Sequence, residues 1–316
     1  MASTSLIFAA VMPIFLIITA GFYVRKFQWL DERADRSLMR LVVNLLYPCL
    51  IFSFILGNDA LRQSSNIILP PLIGFTSVLA GFGLCMLIAR KFNIGSPREC
   101  RTFAFCTGLN NYGYFPIPII ALLFDRETTG VLLVHNVGVE IAMWSLGVGF
   151  ILSARAGKSV WRRIFSPPVI SILIAVPMNL LRVEQYLPQA LLQSLNLLGQ
   201  CAIPLGLLLI GATFSDLAKG VRAFEKMRVP LLATLLRMGI FPIAYLVFIF
   251  LFPLSLELQQ VLIIQAAMPC AVFPIVLTRH FDGSSEIALK VVLSTTLVGL
   301  LTIPLWVRLG ISVIDR

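Results

Sequence analysis

The stretch that decides the fold is Gly108-Leu-Asn-Asn-Tyr-Gly-Tyr-Phe-Pro-Ile-Pro118, which lies inside an apolar segment at residues 102–124. Two prolines, two glycines and two asparagines fall together near the middle of a segment long enough to span a membrane. Proline removes a backbone donor and glycine weakens a helix, so a plain spanning helix explains this stretch poorly. A second such stretch is Gln265-Ala-Ala-Met-Pro-Cys-Ala-Val-Phe-Pro274. We therefore predict two broken membrane helices.

The composition supports a membrane setting for both stretches. Of the 316 residues, 58% are hydrophobic and only 13% are charged, whereas an ordinary globular chain is about 25% charged. So little charge excludes a soluble enzyme, a DNA-binding domain and a disordered scaffold. The six cysteines are scattered along apolar segments and form no CxxC pair, so we interpret them as packing residues and predict no metal site.

Working outward from the broken helices, we predict an all-α membrane protein with ten transmembrane helices. The apolar runs are continuous, whereas the strands of a β-barrel would alternate apolar and polar residues. The sixth segment is short and rich in proline. The ten segments are residues 5–24, 38–57, 68–90, 102–124, 129–153, 166–181, 189–214, 229–252, 257–278 and 288–310.

The positions of lysine and arginine predict the orientation of these helices. Most of the 25 basic residues follow the odd-numbered helices, and few follow the even-numbered ones. The pattern predicts a multi-pass protein of the cell (inner) membrane with both termini outside. The net charge of +10 is therefore attributed to the cytoplasmic loops, and no nucleic acid is expected as a partner.

The two broken helices also indicate an internal repeat. Phe115-Pro-Ile117 recurs as Phe273-Pro-Ile275, half the chain length further on. Because each half has five helices, the second half would enter the membrane upside down, which is typical of transporters. The predicted parts are a first repeat at residues 1–153, a cytoplasmic linker at 154–165 and a second inverted repeat at 166–316.

Crossing of the two broken helices would bring two half-helix N-termini together, each with about half a positive charge. Residues 108–118 and 265–274 contain no acid and no base, so this potential is left for a ligand. We predict an anion, in particular a carboxylate, held by backbone N–H groups and the amides of Asn110, Asn111 and Gln265. The alternative is a kinked structural helix whose asparagines pair across helices.

These segments resemble those of the auxin efflux carrier family, the PIN-FORMED-like permeases. Asn111-x-Gly113-x-x-Pro116-x-Pro118 is similar to the family's NxGxxGxP segment, although Pro116 stands where the family usually has glycine. Gln265-Ala-Ala-Met-Pro269 with Pro274 is similar to its QAAxPxxxxP segment. Further similar segments are 44–52, 204–212, 294–297 and 304–306.

The resemblance implies a ten-helix fold similar to NhaA and the bile-acid transporters. It implies a scaffold of helices 1, 2, 6 and 7 and a moving core of helices 3–5 and 8–10. Plant members export indole-3-acetate, bacterial members are linked to dicarboxylates such as malonate or malate, and the short linker resembles the bacterial form. We also expect a homodimer through the scaffold helices. The candidate substrate-binding residues are Asn110, Asn111, Tyr112, Gly113, Gln265, Met268 and Pro269, with Pro116, Pro118 and Pro274 at the crossover.

Ionisable residues within the spans are usually functional. Glu140 lies near the middle of helix 5, with Asn136 on the same face, and Arg237 lies at a similar depth in helix 8. Glu140 would bind a coupling H⁺ or Na⁺, or Arg237 would help to hold the anion; alternatively, the two form a structural pair. His135 points to a different face, and a packed histidine is favoured over a proton relay.

Asn44 and Gln200 are polar residues at matching positions of helices 2 and 7. They would either contact the substrate from the scaffold side or hydrogen-bond between helices, and the second role is slightly favoured.

The function that fits these observations is a secondary transporter moving small organic anions by elevator-type alternating access. A membrane enzyme is disfavoured because no HExxH, paired aspartate or GxSxG motif occurs. Inverted repeats disfavour a channel or receptor. The runner-up is an inorganic-cation or proton exchanger of the same fold, which would need a carboxylate at the crossover. No cofactor is expected beyond a coupling H⁺ or Na⁺.

Overall fold

The computed structural model describes residues 4–152, 164–218 and 227–314, and every regular element in these ranges is a helix. Seven helices in them are long and apolar enough to cross a membrane. The chain is therefore an all-helical, multi-pass membrane protein. The seven are Leu6–Lys26, Glu32–Ile55, Ser65–Lys91, Arg126–Gly149, Gln189–Asp216, Arg228–Leu251 and Ser285–Ile314.

Fifteen α-helices make up most of the described residues. Three π-helical segments, Val42–Leu46, Met143–Leu152 and Leu236–Ile240, continue or connect them. Two 3₁₀ turns lie at Ala60–Arg62 and Val183–Tyr186. The α-helices are α1 Thr4–Lys26, α2 Glu32–Leu41, α3 Tyr47–Ile55, α4 Ser65–Lys91, α5 Pro97–Gly108, α6 Pro116–Leu123, α7 Arg126–Ala142, α8 Pro167–Leu180, α9 Gln189–Gln200, α10 Ala202–Ala218, α11 Arg228–Leu235, α12 Phe241–Leu251, α13 Leu256–Ala267, α14 Phe273–His280 and α15 Ser285–Ile314.

Some sequence predictions fall outside the described residues. Residues 154–163 of the predicted linker are among them. So are the basic residues Arg155, Lys158, Arg162, Arg163, Lys219, Arg222, Lys226 and Arg316, which contributed to the predicted orientation.

Both interruptions lie where the proline clusters occur in the sequence. Helix α5 ends at Gly108 and α6 begins at Pro116, with a non-helical segment between them. Helix α13 ends at Ala267 and α14 begins at Phe273. Proline is tolerated in the first turn of a helix because that turn has no partner for its N–H groups. Pro116, the first residue of α6, and Pro274, the second of α14, therefore fit the first turns of new half-helices.

Two of the π-helical segments are explained by the prolines that follow them. Val42–Leu46 precedes Pro48, and Leu236–Ile240 precedes Pro242. Proline has no N–H to donate to the carbonyl four residues before it, so the backbone hydrogen bonds of the helix rearrange locally. The altered turn in the second case contains Arg237.

Glycines allow some helices to approach until their backbones touch. A Cβ at Gly21 of α1 would lie 2.1 Å from the carbonyl oxygen of Leu208 in α10. A Cβ at Gly138 of α7 would lie 1.8 Å from the carbonyl oxygen of Pro71 in α4. Without a hydrophobic driving force between helices in lipid, such close packing is a main source of stability.

Polar contacts connect the loops that follow the second, fourth and sixth predicted spans. The backbone of Asn58 and the side-chain amide of Asn179 exchange two hydrogen bonds, of 3.0 and 2.9 Å. Arg62 forms an ion pair with Glu184 at 3.1 Å. The guanidinium of Arg126 donates to the main-chain carbonyls of Ser53, in the last turn of α3, and Leu56, just after it. These three loops therefore lie at the same end of the molecule.

Other contacts connect loops that follow odd-numbered spans. Arg25, at the end of α1, forms ion pairs with Asp35 and, at 3.1 Å, with Asp216 near the end of α10. Arg98 at the start of α5 donates to the main-chain carbonyl of Asp282, which follows α14. The loops that follow the first and seventh predicted spans are therefore adjacent, as are the loops that follow the third and ninth.

Candidate substrate site

The two interrupted helices contact each other through their breaks. The backbone N–H of Asn111 donates to the carbonyl of Pro269 at 2.8 Å, and the N–H of Ala271 donates to the carbonyl of Leu109 at 3.0 Å. Asn110 and Cys270 thereby form an isolated antiparallel bridge. Non-helical backbone within a membrane needs such internal partners. Each break therefore supplies hydrogen-bond partners to backbone groups of the other.

Each half-helix that starts at the crossing has an uncapped N-terminus. No side chain caps α6 at Phe115 or α14 at Val272. The orphan N–H groups of such a turn carry a partial positive charge. Pro116 at the first position of α6 is compatible with this geometry, although the similar segment of the auxin efflux carrier family usually has glycine at this position. In α6, Pro116 and Pro118 have no N–H, and the N–H of Ile117 between them donates to the carbonyl of Gly113 at 3.1 Å. In α14, Pro274 has no N–H, and that of Ile275 donates to the carbonyl of Val272 at 3.0 Å. Fewer backbone N–H groups are therefore available to a ligand than the sequence predicts.

An amide network joins the two breaks to α7. The side-chain amide of Asn110 donates to the Oε1 atom and, at 3.3 Å, to the main-chain carbonyl of Gln265. The Gln265 amide donates at 3.3 Å to the carbonyl of Tyr112 and to Oδ1 of Asn136. Asn136 donates to the same Tyr112 carbonyl at 2.8 Å. These amides are therefore largely occupied by one another.

In the conformation described, the side-chain amides of Asn110 and Gln265 donate to other protein groups, and the assignment of these residues to the substrate site stays a prediction. Asn110 pairs across helices, as the structural alternative held. Asn111 differs, because its side-chain amide has no hydrogen-bond partner among the described residues although the residue is only 4% exposed. Asn111 is thus the amide at the crossing that remains free for a ligand.

Glu140 and Arg237 do not form a pair. The hydroxyl of Tyr112 donates to one carboxylate oxygen of Glu140 at 2.7 Å, and Trp144 Nε1 donates to the other at 2.9 Å. Arg237 instead donates to the main-chain carbonyls of Met268, at 3.0 Å, and Gln265, at 3.3 Å. Of the two alternatives for these residues, the structural pair is therefore wrong, because similar depth in two helices does not fix which faces meet.

The remaining candidates have structural positions. His135 is buried, its Nδ1 lies 3.4 Å from Oδ1 of Asn136, and its backbone carbonyl packs against Gly74 of α4. Asn44 and Gln200 are exposed and bond within their own helices, to Arg40 and to Asn196. The interhelical hydrogen bonds favoured for these two amides are absent among the described residues.

Aromatic residues that the sequence analysis missed lie beside the crossing. The hydroxyl of Tyr47 in α3 is the atom nearest to a Cβ built at Gly113, at 2.7 Å. The rings of Tyr47 and Tyr114 lie 6.1 Å apart and nearly perpendicular, and Tyr114 packs on Gly206 of α10. Trp144 could have been suspected from its position four residues after Glu140. No sequence signal connects Tyr47 to Gly113, because their contact is tertiary.

Seven helices long and apolar enough to cross a membrane, together with two interrupted helices joined at their breaks, are typical of a multi-pass membrane transporter. The chain belongs to the family described as "Membrane transport protein", whose sequence profile matches residues 6–160 and 152–307. This match confirms the family resemblance seen in the crossover motifs.

Two curated relatives resemble the chain over nearly their whole length. One is described as an uncharacterized transporter of Methanothermobacter thermautotrophicus; it is 23% identical over 310 residues, covering 94% of this chain and 96% of the relative. The other is an uncharacterized transporter of Methanocaldococcus jannaschii, 22% identical over 300 residues with the same coverage. Their descriptions name no substrate.

Proposed function

We propose that the chain is a secondary carrier that moves small organic anions, carboxylates of auxin-like or dicarboxylate type, by elevator-type alternating access. The observation that carries this proposal is the crossing itself. Two half-helices without a side-chain cap begin at Pro116 and Phe273. Asn111 lies in the break before the first of them, and its buried side-chain amide has no hydrogen-bond partner among the described residues. Helix N-termini with neutral donors bind carboxylates without a fixed positive charge.

The aromatic side chains give the proposed site a second, apolar part. Tyr47 extends from α3 to Gly113 in the first break, and Tyr114 of the same break packs on Gly206 of α10. Ligand sites typically combine an apolar wall with a few placed polar groups. We infer that the carboxylate faces Asn111 and that the remainder of the anion contacts these rings.

The proposed topology has ten spans in two inverted repeats, 1–153 and 166–316, with both termini outside the cell membrane. The three shorter apolar segments, α5–α6, α8 and α13–α14, would complete the seven long spans. The loop contacts support this arrangement, since loops after even-numbered spans contact one another and loops after odd-numbered spans do likewise.

The proposed elevator motion needs two bodies, and the close helix contacts support their division. Contacts in which a glycine meets the backbone of another span fall within one body each. They lie at Gly21, Gly199 and Gly211 within the scaffold spans and at Gly74, Gly81 and Gly138 within the core spans. Gly113, Gly130 and Gly206 face residues of the other body and meet side chains instead, those of Tyr47, Asn58 and Tyr114 respectively. Side chains can slide or change rotamer more easily than packed backbones can separate.

The substrate class can be tested with purified protein in proteoliposomes. We expect counterflow of radiolabelled malonate or indole-3-acetate above protein-free liposomes, and none of choline. Exchange of sodium or protons without any carboxylate movement would contradict the proposal and favour the second candidate.

That second candidate is an inorganic-cation or proton exchanger of the same fold. It is favoured by the Glu140 carboxylate, which Tyr112 connects directly to the crossing. In the carrier proposal the same carboxyl group is the site of a coupling proton. Protonation of Glu140 would remove a negative charge beside the anion and alter its hydrogen bonds with Tyr112 and Trp144.

The variant Glu140→Gln tests whether Glu140 is the site of the coupling proton. We expect carboxylate uptake by the natural protein to rise as the pH falls, because a protonated Glu140 no longer repels the anion. The variant should retain uptake but lose this pH response, since the amide is neutral at every pH. Uptake is measured against protein-free liposomes, and Glu127→Gln at the start of the same helix is the matched control. A variant with an unaltered pH response would exclude Glu140 as the coupling group.

The proposed partner is a second copy of this chain, bound through the scaffold helices. Gln193, Asn196 and Gln200 are all exposed on one side of α9, within a predicted span. Apart from the bond from Gln200 to Asn196, these side-chain amides have no hydrogen-bond partner among the described residues. Interhelical hydrogen bonds between such amides stabilise association. Two copies of α9 would supply donors and acceptors to each other, and Asn44 lies in the adjacent π-helical segment.

Replacing Gln193, Asn196 and Gln200 together with leucine should convert the dimer to a monomer. The leucines retain an apolar surface for lipid but remove every amide from this side of the helix. The readout is the subunit count by photobleaching of labelled protein in vesicles. A paired change on the exposed side of α11, Leu231→Ala with Leu235→Ala, should leave the count at two. A dimeric triple variant would place the interface elsewhere.

A further inference from the structure

Arg237 is a buried cation without an acidic partner among the described residues. It lies in the π-helical segment Leu236–Ile240 and is 2% exposed. Its guanidinium lies 4.9 Å from the centre of the Phe241 ring, a cation–π contact. Charged groups within spans are costly and are retained for a role. The role of this charge is therefore to be found in its hydrogen bonds.

Both hydrogen bonds of Arg237 go to the end of one half-helix. Helix α13 ends at Ala267, and the guanidinium contacts the carbonyls of Gln265, in its last turn, and Met268, just after it. The last carbonyls of a helix are unsatisfied and carry about half a negative charge. In transporters with broken helices, such C-terminal ends are places where coupling cations bind.

We propose that the guanidinium of Arg237 takes the place of a bound sodium ion at the end of α13. The proposal rests on the carrier function above and specifies its coupling. A fixed guanidinium cannot dissociate during the cycle, so this end of the crossing needs no sodium and provides no sodium coupling. Arg237 is a positioning residue, because it holds Met268 next to Pro269, whose carbonyl accepts from Asn111.

The surroundings of Arg237 keep its π-helical turn in one conformation. Pro242 cannot donate to the carbonyl of Met238, four residues before it, and this carbonyl instead accepts a hydrogen bond of 2.6 Å from Trp306 Nε1. The turn that carries Arg237 is thus fixed to α15 by a side chain. The hydrogen bond between Trp306 and this turn is consistent with a guanidinium that stays at the end of α13 throughout transport.

The test measures melting temperatures of purified protein in sodium chloride and in equimolar choline chloride. The natural protein should melt at the same temperature in both. Arg237→Ala should melt lower in choline, and sodium should raise its melting temperature specifically, because a hydrated sodium ion fills the vacated place. Arg237→Lys should be insensitive to sodium, since its ammonium supplies the charge.

Arg62→Ala is the control for general salt effects, because Arg62 pairs with Asp59 and Glu184 away from the crossing. If Arg237→Ala does not fold, Arg237→Gln takes its place with the same expectation. The proposal is overturned if sodium stabilises the natural protein, or if it raises the melting temperature of the neutral variant no more than that of Arg62→Ala. Since no substrate is used, these outcomes are independent of whether carboxylates are transported.

Discussion

Asn111→Ala is expected to weaken carboxylate binding about 10- to 100-fold, the effect of losing one hydrogen bond to a charged group. Asn111 is buried at the crossing, and its amide has no partner among the described residues, so the donor is available to an anion. Its backbone N–H, which donates to Pro269, is unchanged by the substitution. The crossing should therefore persist while the site loses its side-chain donor.

The measurement is the dissociation constant for malonate or indole-3-acetate, together with the melting temperature. Asn93→Gly is a suitable control, since Asn93 is an exposed loop residue with a φ of 46°, which glycine adopts readily. Asn110→Ala provides the opposite pattern: it should lower the melting temperature because it leaves buried Gln265 without its donor. Unchanged affinity in Asn111→Ala would remove Asn111 from the proposed site.

The comparison of these two neighbours shows how far sequence reasoning reaches. The proline and glycine clusters predict where the helices break, because those residues act on their own backbone. They do not distinguish Asn110 from Asn111, since which amide turns toward Gln265 depends on how the two breaks pair. Which of the two neighbouring asparagines keeps a side-chain amide for a ligand is therefore decided by tertiary contacts.

The failed Glu140–Arg237 pair has a similar cause. Depth in the membrane follows from counting residues along a helix, but the direction of a side chain depends on helix rotation. The π-helical turn before Pro242 changes that rotation for Arg237. Tyr112, which was predicted only as a substrate contact, provides the hydroxyl that Glu140 binds instead.

Asn44 and Gln200 show that the sequence of one chain does not identify the hydrogen-bond partner of a polar residue within a span. Polar residues within spans predict hydrogen bonds between helices, yet both residues are exposed in the described structure. A sequence pattern cannot say whether the partner helix belongs to the same chain or to a second copy. The exposed amides on α9 support the second possibility and the homodimer expected from the sequence.

Gly138→Ala is expected to destabilise the protein by about 1–3 kcal/mol or more, the usual cost of overpacking. The added Cβ would lie 1.8 Å from the carbonyl oxygen of Pro71 and 2.8 Å from the backbone nitrogen of Phe75. Both neighbours are backbone atoms, so no rotamer change relieves the clash, and α4 and α7 must separate. Thermal unfolding of purified protein in detergent measures the effect.

Gly83→Ala is the matched control in α4, because no atom lies within 4 Å of the added Cβ and the position is exposed. It should leave the melting temperature unchanged or raise it, since alanine favours a helix over glycine. In Gly138→Ala the functional loss should exceed what stability alone explains. Asn136 and Glu140 lie two residues on either side of Gly138, and both bind Tyr112 at the crossing. A folded Gly138→Ala protein with normal melting and transport would show that α4 and α7 do not pack through this glycine.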